Sequence, residues 1–292
     1  MDLLVLLIRG IGLGAVLSLI AMSANVIVNS TGILNFAQGH LLVAGGVMSY
    51  LTFPAGANLG RWWLALPLVV LGMAALASFQ GLLTLLPLRS STEQHSWIIT
   101  TLAASIILGG VITIGFGPVS LPLSNPWGGF TVGDGIQIPW IYLLVPLLAV
   151  LVWAGLWFFQ RRTLVGLALN AISQDLDAAA SLGAPIRRLQ LISFTIAGVI
   201  LGLTAHLGGP ILAVNQASGL EYATYAFIAL VLGGIGNNLG ALIAGPVFGV
   251  LQMIITVQIG GIFQLPLALL VIVIVLMMRP QGVFGRLKAR TV

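Results

Sequence analysis

The chain has no cysteine, one lysine (Lys288) and six acidic residues, and Asp, Glu, Lys and Arg together make up only 6% of its 292 positions. The missing cysteines rule out disulfides and thiolate metal ligands. The scarcity of charge excludes more. A soluble domain carries about a quarter of its residues as charged side chains, so this chain could not cover a water-facing surface. No G-x-x-x-x-G-K-[ST] sequence occurs, and the chain is therefore not itself a phosphate-loop ATPase. It also lacks H-E-x-x-H and any Ser/His/Asp order, which argues against an enzyme.

What is present is apolar. Hydrophobic residues make up 59% of the chain and the mean hydropathy is +1.13. The runs are continuous rather than alternating, which indicates a helical, polytopic membrane protein and not a β-barrel. The 37 glycines and 13 prolines suit helices that pack closely and break in places. Apolar segments at about 3–22, 24–50, 62–88, 96–116, 138–160, 190–209, 222–235, 239–257 and 262–279 predict 8–9 transmembrane helices, some short or broken. The opening "MDLLVLLIRGIGLGAV" has an aspartate in place of a basic n-region and no small-residue cleavage site, so it reads as a retained first span. No internal repeat or soluble segment divides residues 1–292, which read as a single transmembrane domain.

The net charge of +5 does not indicate nucleic acid. The basic residues sit between spans: Arg89; Arg161, Arg162, Arg187 and Arg188; and Arg279, Arg286, Lys288 and Arg290. The positive-inside rule makes these three regions cytoplasmic, with the C-terminus inside and the N-terminus outside. The intervening 120–140 stretch has no basic residue, and "RWW" at 61–63 and "PWIY" at 139–142 place aromatics where an interfacial belt forms. His206 and Glu221 flank a second external loop and read as interfacial groups that meet water.

Two polar stretches stand out. In "STGILNFAQGHLLVAGG" (30–46), a helix beginning at Thr31 would place Asn35, Gln38, Gly39, Leu42, Gly45, Gly46 and Ser49 on one face, with His40 off it. Amides facing lipid cost a few kcal/mol, so this face turns inward. It either bonds helix to helix or lines a solute pathway.

The second stretch, "RRTLVGLALNAISQDLDAAASLGAPIRRLQ" (161–190), is too polar to span. Leu167, Ala171, Leu176, Ala179 and Leu182 recur at helical spacing, broken near Ser173. Ser173 as the cap of a second short helix, Asp175 and Asp177 in its first turn, Gly183 as a left-handed terminator and Pro185 beyond it predict an amphipathic helix of about ten residues after the break. Such a helix is either a docking element or a plain connector. The aspartates have no third ligand nearby, so capping explains them without a metal. "LGGIGNNLGALIAG" (232–245) is a tight reversal between spans rather than a phosphate loop.

The 161–190 stretch resembles the cytoplasmic coupling loop of ABC-importer permeases of the branched-chain amino acid (LivH/LivM) type. The similarity rests on Gly166, Ala168 and Ala171 and on a core of Gln174, Asp175, Ala179, Ala180, Leu182 and Gly183. "GILNFAQGHLLVAG" (32–45), "LPLRSS" with "ITTLAASIILGG" (86–110), "LVLGGIGNNLGALIAGPVFGVLQ" (230–252) and "RPQGVFG" (279–285) are similar to family stretches in the same order. The compact length is that of the LivH half. Gln38, His40 and Asn170 depart from the usual histidine, acidic residue and arginine.

The resemblance implies an inner-membrane permease subunit that imports branched-chain or other neutral amino acids, or alternatively urea, amides or another small solute. It implies two ATPase subunits that bind the ATP, an extracytoplasmic solute-binding protein, and a second permease subunit, LivM-like or a second copy of this chain. ATPase coupling would fall to Ser173, Gln174, Asp175, Ala179, Ala180, Leu182 and Gly183, and the pathway to Asn35, Gln38, Gly39, Gly45 and Gly46. A self-sufficient transporter or channel would instead bury coupling carboxylates in mid-membrane, and none of the six acids lies convincingly inside a span.

Overall fold

The computed structural model describes residues 3–53, 58–85, 96–132, 135–279 and 282. Among these, eleven α-helices and one hairpin make up the fold: α1 (Leu3–Thr31), α2 (Gln38–Thr52), α3 (Leu59–Leu85), α4 (Ser96–Phe116), β1 (Gly129–Val132), β2 (Ile136–Pro139), α5 (Ile141–Arg162), α6 (Leu164–Gln174), α7 (Leu176–Ser181), α8 (Ile186–Gly208), α9 (Gln216–Gly233), α10 (Asn238–Gln258) and α11 (Gln264–Met278). Seven of the described helices are long and apolar enough to cross a membrane: α1, α3, α4, α5, α8, α10 and α11, the last continuous with the 3-10 turn Gly261–Phe263 before it. The pair α2 and α9 is shorter or less apolar and lies largely buried among them. The "LPLRSS" motif, Arg89, Arg286, Lys288, Arg290 and most of "RPQGVFG" lie outside the described residues.

At the centre is α1. It shows no amphipathic stripe because it is buried from Ala15 to Ser23 on every side. Its 29 residues correspond to about 43 Å at 1.5 Å per residue, more than a hydrocarbon core requires. Glycines set its crossing with α10. A Cβ on Gly249 would come within 2.3 Å of the Gly14 nitrogen, and one on Gly14 within 2.3 Å of the Gly245 carbonyl oxygen. Backbones this close are what small-residue membrane interfaces provide. Around this centre, α3, α4, α5 and α11 expose faces rich in Leu, Ile and Val, such as Leu64, Leu68 and Leu71 on α3 and Ile106, Ile107 and Ile114 on α4.

Side-chain bonds mark the two ends of the bundle. At one end Gln190 Nε2 donates to the Ser30 carbonyl (3.3 Å), and Asn29 Nδ2 donates to the Gly236 carbonyl in the α9–α10 turn (3.1 Å). That end also carries α6, α7 and Arg161, Arg162, Arg187 and Arg188. At the other end the β1–β2 hairpin, Trp62 and Trp127 come together, and Leu121 pairs with Val214.

Two expected boundaries are corrected. The first apolar segment does not stop near residue 22. Nothing there breaks a helix, and the Ser23 hydroxyl bonds back to the Ile20 carbonyl (2.7 Å) within a continuous α1. The break falls instead at residues 32–37, where Gly32 has φ +69°. That conformation suits glycine and ends the helix. Thr31 therefore closes α1 rather than starting a helix, and α2 begins at Gln38.

Candidate functional site

The break between α1 and α2 is a buried knot of amides. Asn35 accepts from the Ala37 backbone N–H through Oδ1 (3.0 Å), an Asx turn that shapes the non-helical stretch. Its Nδ2 donates to Gln80 Oε1 on α3 (2.9 Å) and to Gln38 Oε1 (3.3 Å). In return Gln80 Nε2 donates to Asn35 Oδ1 (3.3 Å) and to Thr84 Oγ1 (2.9 Å). Gln38 Nε2 donates to the Ser23 hydroxyl on α1. Asn35, Gln38, Gln80, Thr84 and Ser23 are all buried. The knot thus ties three helices where the chain leaves regular structure, and each interhelical bond of this kind contributes about 0.6–1 kcal/mol in a membrane bundle.

Asn35 and Gln38 come together as their spacing suggests, but through a turn and not along one helical face. Gln80, Thr84 and Ser23 join the knot from α3 and α1 without belonging to either polar stretch of the sequence. The i, i+4 pair Gln80 and Thr84 inside an otherwise apolar span was the available signal. Three of the four glycines of the stretch serve close packing. A Cβ on Gly39 would sit 1.9 Å from the Gly219 carbonyl oxygen on α9, one on Gly45 2.8 Å from Ala205 Cβ on α8, and one on Gly46 2.8 Å from Val214. His40, off this stripe, shares a 2.7 Å bond between Nδ1 and the Ser105 hydroxyl on α4, and its ring lies against Gly219 and Gly109.

The far end of α2 holds a second polar contact. His206 is buried, not interfacial, which corrects the expectation of a water-facing group. Its Nε2 lies 3.2 Å from the Trp62 carbonyl and its Nδ1 2.7 Å from the Ser49 hydroxyl. A carbonyl only accepts, so Nε2 carries the proton and Nδ1 accepts from Ser49 when the ring is neutral. The imidazole stacks on Trp62 at 4.5 Å between ring centroids, and Trp127 meets Trp62 edge-on at 5.1 Å. Glu221, the other flanking residue, accepts from the Tyr225 hydroxyl (2.8 Å).

The 163–188 segment is built differently. It contains two helices, α6 and α7, broken near Ser173 as the spacing suggests, but the second has six residues instead of about ten. Thr163 caps α6, accepting from the Gly166 N–H (3.0 Å), and Gly166 is packed so closely on the end of α5 that a Cβ would lie 2.0 Å from the Phe159 carbonyl oxygen. Asn170 Nδ2 donates to the Gln160 carbonyl (2.8 Å), holding α6 against α5. Ser173 does not cap α7; its hydroxyl turns back to the Asn170 carbonyl (2.7 Å) inside α6. Asp175 is the cap, accepting from the Ala178 N–H (2.9 Å), and Asp177 lies in the first turn.

The end of α7 closes as expected. The Ala184 N–H reaches the Ala179 carbonyl (3.1 Å), the Gly183 N–H reaches the Ala180 carbonyl (2.9 Å), and Gly183 has φ +83°, a Schellman ending that leads into Pro185. The pair packs on α8 through Leu169, Ile172, Ala179 and Leu189. Its other face is bare: Leu164 is 87% exposed and Leu182 90%, with Leu167 and Leu176 also exposed. Among the described residues no three His, Asp or Glu side chains converge as metal ligands would.

Comparison with known proteins places this architecture. The family described as the permease component of branched-chain amino acid transport systems matches residues 6–278. The chain is 26% identical over 290 residues to the high-affinity branched-chain amino acid transport system permease protein LivH of Escherichia coli K12, covering 95% of this chain and 94% of that protein. BraD of Pseudomonas aeruginosa, likewise a high-affinity branched-chain amino acid transport system permease protein, is 27% identical over 295 residues, 96% of this chain and 95% of BraD. The xylose transport system permease protein XylH of Haemophilus influenzae is 28% identical over 223 residues, 62% of this chain and 59% of XylH. No solved structure matches. The chain belongs to the branched-chain amino acid transport permease family.

Proposed function

We propose that this chain is the LivH-like transmembrane permease subunit of an ABC importer in the inner membrane, carrying branched-chain or other neutral amino acids. The observation that carries the reading is the family match across residues 6–278, together with relatives aligned over nearly their whole length. The xylose permease relative favours a second reading for the solute alone, in which the same scaffold imports another small molecule.

In this reading α2 and α9 complete a single domain of nine membrane-embedded helices. The end bearing α6 and α7 is cytoplasmic, the C-terminus is inside and the N-terminus outside. Two ATPase subunits bind the ATP and dock on the 173–183 region through its exposed leucines. A binding protein delivers solute to the tryptophan-bearing end, and a second permease subunit, LivM-like or a second copy, completes the pathway. The chain makes and breaks no bonds in the solute.

The contacts suggest how docking reaches the pathway. Movement of α7 is passed to α8 through Ala179 and Leu189. The start of α8 is tied by Gln190 to Ser30, at the end of α1 and next to the break. Asn35, Gln38, Gly39, Gly45 and Gly46 then form a wall whose shape depends on that break, and the amide knot is a two-arrangement element of the hinge type.

Purification in mild detergent with identification of co-purifying subunits tests the assembly, and ATP-dependent uptake of labelled leucine into proteoliposomes tests the solute. Recovery of the chain without an ATPase, under conditions that preserve its fold, would contradict the reading.

A further inference from the structure

The cytoplasmic reading of the arginine-bearing end leaves one basic feature unused. The packing of α3 on α8 is tight along most of its length: a Cβ on Gly81 would lie 2.4 Å from Phe194, and one on Gly198 2.5 Å from the Met73 carbonyl oxygen. The helices part at their shared end and leave a groove lined by Leu82, Leu85, Leu191, Arg187 and Arg188.

The charges there have no local explanation. Neither Arg187 nor Arg188 is paired with a carboxylate among the described residues. Both stand in the first turn of α8, where the helix dipole opposes cations. By contrast, Arg161 at the end of α5 lies over the Trp157 ring at 4.9 Å.

The groove's walls belong to two membrane-spanning helices and its mouth holds two exposed cations. Leucine walls suit an acyl chain, and a pair of guanidiniums suits a phosphodiester, to which arginine binds in bidentate fashion. Basic pockets between spanning helices on the cytoplasmic side hold anionic headgroups in this way.

We propose that the α3–α8 groove binds an anionic phospholipid of the cytoplasmic leaflet, its phosphodiester on Arg187 and Arg188 and one chain against Leu82, Leu85 and Leu191. The site rests on the membrane-spanning reading of α3 and α8 and on their orientation, not on the solute. An ATPase surface is the competing occupant. It is disfavoured because the apolar walls lie on the spanning helices rather than on the exposed leucine face of α6 and α7.

The test uses the full-length chain with its co-purifying subunits in phosphatidylcholine nanodiscs, titrated with phosphatidylglycerol and read by native mass spectrometry. The wild type should retain phosphatidylglycerol saturably, R187Q/R188Q should lose roughly tenfold or more in apparent affinity, and R187K/R188K should keep most of it. A thermal-melting comparison checks that the variants fold. Equal retention by the folded glutamine variant and the wild type would overturn the proposal. So would displacement of the lipid by soluble glycerophosphate, or loss of the ATPase from the glutamine variant with lipid retention unchanged. Failure of leucine uptake in the wild type would bear on the solute and leave this site standing.

Discussion

The α1–α2 break and the α6–α7 segment invert each other's chemistry. The break buries amides, Asn35, Gln38 and Gln80, inside a membrane bundle, whereas α6 and α7 leave Leu164, Leu167, Leu176 and Leu182 open outside it. Buried amides persist because they satisfy one another. Without partners they would cost several kcal/mol in a medium that supplies no hydrogen bonds. Exposed leucines have no such internal compensation, and they form the apolar surface on which the proposed ATPase docking rests. Rigidity is achieved in both places, by a closed network in one and by Asp175, Gly183 and Pro185 at the ends of a short helix in the other. The first region makes the fold, and the second presents a surface on it.

The comparison is broken most severely at Gly39. Gly39→Val must push apart α2 and α9, whose backbones meet there. The expected loss exceeds the ~1–3 kcal/mol of ordinary overpacking, and the folded, monodisperse protein should disappear from size-exclusion profiles. Next in size is Asn35→Leu, which strips donors from Gln80 and Gln38 and should destabilise the bundle by about 1–3 kcal/mol, read as a lower melting temperature together with slower uptake. Combining it with Gln80→Leu sharpens the point. If the amides act as a pair, the double variant loses less than the sum of the singles, by roughly 0.5 kcal/mol or more, whereas strict additivity would mean that the two amides stand independently.

Smaller effects on stability should come from the other region. Asp175→Ala removes a cap worth about 1 kcal/mol, but only from the six-residue α7. The melting temperature of the bundle should hardly move, while local hydrogen exchange at residues 176–183 rises. Gly183→Pro should break the Schellman ending and abolish ATPase co-purification with the bundle still folded.

These differences track what was legible in the sequence. The membrane class follows from composition alone, and the end of α7 could be read from Gly183 and Pro185 because both constrain φ locally. Asp175 and Ser173 were both competent caps. Which one acts depends on whether the serine hydroxyl turns back to its own helix, a choice that spacing does not encode. At the break, Asn35 and Gln38 are visible as polar residues, but a helix starting at Thr31 lies on the wrong side of Gly32, the residue that ends α1. Gln80 and Thr84 are visible as an i, i+4 polar pair, but their partner Asn35 is declared only once the helices are packed. His206 differs for a related reason: its position near the end of a span suggests water, whereas burial against Trp62 and Ser49 comes from tertiary contacts.

The most direct test of the division between an internal amide knot and an external docking face is a Leu164→Glu/Leu182→Glu variant, followed simultaneously for melting temperature and for ATPase co-purification. Both leucines are at least 87% exposed, so neither change removes a packed side chain. The account predicts an unchanged melting temperature and loss of the ATPase. Full retention of the ATPase by the folded variant would contradict it.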